Sequence, residues 1–151
     1  MGAMHSSRLD YAIRALLELT KRDHVNKQRP TRIQEIASAQ GIPARFLEAI
    51  LVDLRRAGLV ESRRGVKGGY WLTRRPETIT VAELVHLVDG GITLVPSDAS
   101  AGKSAAIASP AVRRLWARAA AALEQVYGAT SFAELHEEDR AWSRDVADYS
   151  I

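Results

Sequence analysis

The chain of 151 residues contains no cysteine. Disulfides, thiolate metal sites and cysteine nucleophiles are therefore excluded together. Long apolar runs are absent as well. None approaches the roughly 20 residues that a bilayer span needs, so no membrane attachment is expected. The opening residues, MGAMHSSRLDY, lack the apolar centre of a signal peptide. Met4 reads as the natural start behind a Gly2-Ala3 scar, and the expected location is cytoplasmic. Catalytic groupings are equally scarce. His5, His24, His86 and His136 stand far apart, without the H-E-x-x-H spacing of a zinc hydrolase. Gly102-Lys103-Ser104 resembles the end of a phosphate-binding loop, but Ser97 occupies the place of its first glycine and no strand leads into it. No serine sits in a nucleophile-elbow sequence. The expectation is a protein that is not an enzyme and carries no cofactor or metal.

What is present is a hydrophobic share of 46%, ordinary for a folded domain. The net charge of +3 conceals an asymmetry. Residues 1–75 carry 15 lysines and arginines against 7 acids, and residues 76–151 carry 6 against 11. A basic half joined to an acidic half points to one face for a polyanion and another for a different task.

The basic half reads as three helices and a hairpin. LDYAIRALLEL (9–19) has a helical apolar stripe, and the polar KRDHVNKQRP (21–30) reads as a loop. Thr31, with Gln34 three residues on, has the pattern of a capping box for a short second helix ending at Gly41. Pro43 suits the first turn of a third helix. Its buried face is Leu47, Ile50, Leu51 and Leu54, and Gly58 stops it. Two short helices joined by AQGIP make a helix-turn-helix. LVES (59–62) and YWLT (70–73) then read as strands around RRGVKGG. This loop is too long and too cationic for a minimal turn. Its glycines permit positive φ and close approach of the backbone to a partner. Its cations would attract phosphates. Helix-turn-helix followed by a cationic hairpin is the layout of a winged helix.

The acidic half begins with Thr80 and Glu83 capping a helix, VAELVHLVD (81–89). His86, among Val85, Leu87 and Val88, reads as a core-edge histidine. Residues 92–110 form a Gly/Ala/Ser-rich loop, expected to be flexible. Ser109-Pro110 opens the longest helix (about 110–127). Val112, Leu115, Trp116, Ala119, Leu123, Val126 and Tyr127 line one side of it. A small helix capped by Ser131 and Glu134 follows, then an acidic tail with Trp142, Val146 and Tyr149 at helical spacing. The fold class expected is mainly α with a small β-hairpin: a winged helix-turn-helix domain at 4–80, then a linker helix, effector loop and dimerisation helices at 81–151.

The order YAIRALLEL, IQEIASAQGIP, RFLEAILVDLRRAGLVES, RGVKGGYWL and ITVAELVHLVDG resembles the Rrf family of bacterial winged-helix regulators. The resemblance runs from about residue 8 to residue 90 and resumes at SPAVRRLW (109–116). It implies a homodimeric regulator, a repressor in the reading preferred here, bound to double-stranded DNA at an inverted repeat. The long helix would supply the dimer interface through Val112, Leu115, Trp116, Ala119, Leu123 and Val126. Two features depart from the family pattern. Val66 and Lys67 replace a proline and a glycine in the wing. The loop at 92–110 lacks the three cysteines of cluster-binding members. Serines and Asp98 are poor substitutes for thiolates at an iron–sulfur cluster. The chain thus resembles the cysteine-free, CymR-like branch, whose signal would come from a small-molecule or protein effector. A winged-helix protein-interaction module with little specific DNA binding is the alternative.

Candidate DNA contacts follow. On the exposed side of the third helix, Arg45 could bond guanine, Glu48 cytosine or Arg45 itself, and Ala49 a thymine methyl. Phe46 could touch the sugar-phosphate, though packing suits it better. In the wing the candidates are Arg64, for the minor groove, with Lys67 and Gly68. Ser6 and Arg8, matching family positions, and Thr31 with Arg32, at a helix N-terminus, are phosphate candidates. Arg55 and Arg56 could serve only the helix dipole.

Overall fold

A computed structural model describes residues 5–25, 29–92, 94 and 109–148. Helix α1 spans Ser7–Val25 and so outruns its apolar stripe. The segment expected to be a loop from residue 21 is helical through Val25. Ion pairs carry it: Lys21 lies 2.7 Å from Asp139, Arg22 2.8 Å from Glu18 one turn back and 3.6 Å from Glu35. Such pairs support a helix without adding to its hydrophobic period. At its start the Ser6 hydroxyl accepts from the Leu9 N–H at 3.1 Å, an N-cap bond.

Helix α2 (Ile33–Gln40) ends at Gly41, whose φ of +61° is the left-handed C-cap. Pro43 is the N-cap of α3 (Ala44–Arg56), one residue outside the expected first turn. The start of α2 also differs from expectation. Arg32, not Thr31, is its N-cap, and the Glu35 carboxylate accepts from the Arg32 N–H at 2.8 Å. A guanidinium has no acceptor, so only this half of a capping box exists. Thr31 lies outside the helix and is buried. Its N–H donates to the Tyr70 carbonyl and its own carbonyl accepts from the Tyr70 N–H, both at 2.8 Å. It thus adds a bridge to the hairpin's edge.

Strands β1 (Val60–Arg63) and β2 (Gly69–Leu72) pair antiparallel, with Val60 opposite Leu72 and Arg63 opposite Gly69. Each is displaced by one residue toward the turn from the expected 59–62 and 70–73. A 3-10 turn at Pro76–Thr78 leads to α4 (Val81–Asp89), capped as expected by Thr80, whose hydroxyl accepts from the Glu83 N–H at 3.4 Å. Helix α5 spans Pro110–Ala129, with Ser109 at its N-cap as expected. Helix α6 spans Phe132–Asp148 as one continuous helix, where a small helix and a separate tail were expected. Tyr149 and most of the loop at 92–110 lie outside the described residues.

A single buried cluster joins Leu9, Leu16, Leu19, Leu47, Leu51 and Leu54 to Leu84, Val85 and Phe132, across residue 80. Burying each such side chain contributes about 1.5–3 kcal/mol. Phe132 opens α6, and its N–H donates to the Ile79 carbonyl at 3.0 Å, which fixes the C-terminal helix to the core. Helix α3 is thereby held against α1 by its leucine face and must present the opposite face outward. Among the described residues α5 is different: none of its side chains is fully buried.

Candidate nucleic-acid interface

The outward face of α3 carries Arg45, Phe46, Glu48, Ala49, Val52, Arg55 and Arg56, all exposed. The Arg45 guanidinium lies 4.6 Å from the Phe46 ring centre. Phe46 in turn lies 6.4 Å from Tyr11 of α1, over which Arg14 sits at 5.0 Å. Phe46 is 46% exposed, so it is not a core residue. It lies beside the Tyr11 ring, tilted 31° to it, and supports Arg45 with its face. A cation on an aromatic face loses little freedom when it meets a base.

The wing is preset by contacts within the protein. The Gly68 N–H donates to the Gly65 carbonyl at 2.9 Å and closes the turn. Arg63 donates to the Lys67 carbonyl at 3.1 Å, and Arg32 reaches across from the start of α2 to the Val66 carbonyl. Gly68 is buried, and a Cβ there would stand 2.2 Å from the Arg63 carbonyl oxygen. Internal packing alone therefore already requires glycine there. Gly65, with φ of +105° and open space around it, is the glycine that lets the tip turn. Arg64, Val66 and Lys67 project at the tip, and neither cation has an ion pair among the described residues.

Between the start of α2, the second half of α3 and the wing lies a cleft of about 1000 Å³. Arg32, Arg55, Arg63 and Arg64 line it with Val52 and Tyr70, and no carboxylate does. Arg55 is turned toward the wing by a bond to the Ser62 hydroxyl at 3.1 Å. Four guanidiniums without an acid repel one another, and among the described residues no ion pair neutralises them. This arrangement is stable when an anion chain supplies the charge. The sequence pointed to Arg32 and Arg64 for this task and gave Arg63, as one cation of RRGVKGG, a general attraction to phosphates, but it offered Arg55 only a dipole role and did not signal Val52. The one-residue shift of β1 brings Arg63 into a strand that borders the cleft. Nothing in local periodicity signals this.

Ser6 and Arg8 do not line the cleft. Arg8 forms an ion pair with Asp53 of α3, which also lies 3.8 Å from Arg56. Ser6 donates its hydroxyl and, at 3.2 Å, its N–H to the Asp89 carboxylate at the end of α4. Burial pushes the Asp89 carboxyl up. The bonds from Ser6 and the nearby His5 ring outweigh burial and hold it below its ordinary value.

The second exposed surface is α5. Val112, Leu115, Trp116 and Val126 are 40–58% exposed, with Ala119 and Leu123 half-buried beside them. Among the described residues one edge of the helix is tied down: Tyr127 bonds His5 at 2.7 Å, and Glu124 lies 2.6 Å from His86. His86 is thus exposed and paired across to α5, not set at the edge of the core.

Residues 5–138 match the family model described as Rrf2, iron-dependent transcriptional regulator. The rrf2-like HTH-type transcriptional regulator of Rhodobacter capsulatus is 44% identical over 93 residues, a match that takes in 62% of each chain and so less than two thirds of that relative. The HTH-type transcriptional regulator CymR of Bacillus subtilis is 31% identical over 125 residues, 83% of each chain. The solved structure of CymR, the global cysteine regulator of Bacillus subtilis, superposes with a TM-score of 0.75 at 29% identity, covering 91% of this chain and 98% of that one. The family model spans most of the chain and the fold superposes on that of a relative, so this chain belongs to the Rrf2 family of transcriptional regulators.

Proposed function

We propose that the protein is a sequence-specific DNA-binding repressor that acts as a homodimer on an inverted-repeat operator. The observation that carries this reading is the acid-free arginine cleft between the exposed face of α3 and the wing. Duplex DNA carries about one charge per 1.7 Å, and a protein that neutralises several phosphates releases their counterions. The exposed face of α3 then meets base edges, while the cleft and wing hold the backbone. The apolar face of α5 supports the dimer. It is wide, uncovered and centred on small residues, Ala119 and Ala122, that allow a second helix to come close. Two recognition helices fixed by such a seam would read two half-sites one helical turn apart.

The family description names iron, so the donor set is a test of fit. A cluster needs thiolates, and the sequence has none. His5 and His86 each already engage a carboxylate, and no group of three ligating side chains occurs among the described residues. The residues do not fit an iron–sulfur cluster. The reading is therefore a regulator switched by another effector, a small molecule or a protein, acting near residues 92–110.

A titration with genomic fragments at two salt concentrations tests the function. Tight binding to one subset, weakening steeply with salt, is expected. Uniform weak binding to every fragment would overturn it in favour of a protein-interaction module.

A further inference from the structure

We infer that Val52 reads thymine, its isopropyl group packing on the 5-methyl of one thymine in each half-site. The inference rests on the DNA-binding reading and adds to it a residue that sets base preference. Val52 sits at the middle of α3 and is 38% exposed, while the apolar residues of the opposite face are at most 2% exposed. It is not among the partly buried side chains packed against the core. A β-branched residue is mildly unfavourable in an exposed helix position. Neither packing nor helix propensity accounts for it.

Its surroundings define what it can recognise. One turn before it is Glu48 and two turns before it Arg45, and one turn after it are Arg55 and Arg56. Those groups can hydrogen-bond guanine, cytosine or phosphate. Between them, Ala49 and Val52 continue along the face an apolar strip that Phe46 begins beneath Arg45, and Val52 lines the arginine cleft. The thymine methyl is the one apolar group that base pairs show in the major groove. Ala49 and Val52 are about 4.5 Å apart along the helix axis, a little more than the base-pair rise of about 3.4 Å. The strip therefore spans neighbouring base steps, with the longer Val52 side chain making the closer contact.

Deoxyuridine separates this contact from every other, because it differs from thymidine by the methyl alone. A preferred duplex would be selected from a random pool with the intact chain, and each thymine replaced singly by deoxyuridine. Affinities would be measured for the wild type and for Val52→Ala, which removes an exposed side chain and raises helix propensity, so the fold is kept. Wild type is expected to weaken about fourfold at one or two positions per half-site, the value of one methyl withdrawn from water. Val52→Ala should bind the two forms equally, within about twofold, at one of those positions, with an unchanged salt slope. Indifference of the wild type to every thymine methyl would overturn the inference without any variant. So would a Val52→Ala protein that keeps the full deoxyuridine profile. A chain that selects no sequence at all sinks the DNA-binding reading itself, and the inference with it.

Discussion

Arg45 and Arg64 carry the same charge but are held differently, and this separates their expected effects. Arg45 rests on the Phe46 ring at 4.6 Å at the start of α3, which fixes its direction. Arg64 hangs from a hairpin tip beside Lys67 with no partner among the described residues. Arg45→Ala should relax preference at one base pair per half-site, at about 1–3 kcal/mol. Arg64→Ala or Lys67→Ala should weaken binding to all sequences alike and flatten its salt dependence. Affinities on a matched and a mismatched duplex at two salt concentrations distinguish the cases. Unchanged sequence preference in Arg45→Ala would mean α3 is not the reading helix. Gly68 gives a second prediction at this scale. A methyl there meets backbone at 2.2 Å, and backbone cannot step aside as a side chain could. Gly68→Ala should therefore lower the thermal midpoint and cost DNA affinity, because it displaces the wing turn that Gly68 closes. Gly65→Ala, in open space, should strain only φ.

At the level of elements, the sequence was most legible where the hydrophobic period or a cap dictated the outcome. Leu47, Ile50, Leu51 and Leu54 declared the buried face of α3, and Thr80 the start of α4. It was least legible where tertiary partners decided. Lys21–Asp139 lengthens α1, Thr31 is drawn from a cap into a bridge with Tyr70, and Asp53 engages Arg8. Each joins residues distant in sequence, which no local pattern contains. The junction of α4 with the start of α1 yields a test. Asp89 ends α4, where a carboxylate meets the unfavourable end of the helix dipole. Burial also raises its carboxyl, and the bonds from Ser6 with the His5 ring outweigh that burial and hold it below its ordinary value. A lowered acid adds stability above its ordinary pKa and loses it as pH falls through the lower, folded value. Thermal midpoints measured downward from about pH 6 should fall most below about pH 4. Asp89→Asn should flatten part of that decline. A variant with the wild-type acid profile would show the junction to be energetically idle.

For the whole molecule, the question is what covers α5 and what moves it. Leu115 is 54% exposed, so Leu115→Asp costs the isolated chain little. In a paired seam the same carboxylate would be buried without a partner, which is expensive. The expected outcome is a folded monomer by circular dichroism and sedimentation, with operator affinity lost. A wild-type protein that is monomeric at micromolar concentration would remove α5 as a dimer seam. In the proposed dimer the seam would begin at Pro110, directly after a segment without a single thiol, so a signal that repositioned the two α3 helices would enter by chemistry other than an iron–sulfur cluster. An effector can shift that spacing only by its preference for one arrangement, and about 1–3 kcal/mol suffices for a switch. Protein purified without oxygen from iron-replete cells should then be colourless and free of iron and sulfide. Its operator binding should not change with oxidants that destroy clusters. A coloured, iron-bearing preparation that releases its operator on oxidation would overturn this reading and turn attention to the histidine–carboxylate pairs, His5–Asp89 and His86–Glu124, that tie α5 and the chain start to α4.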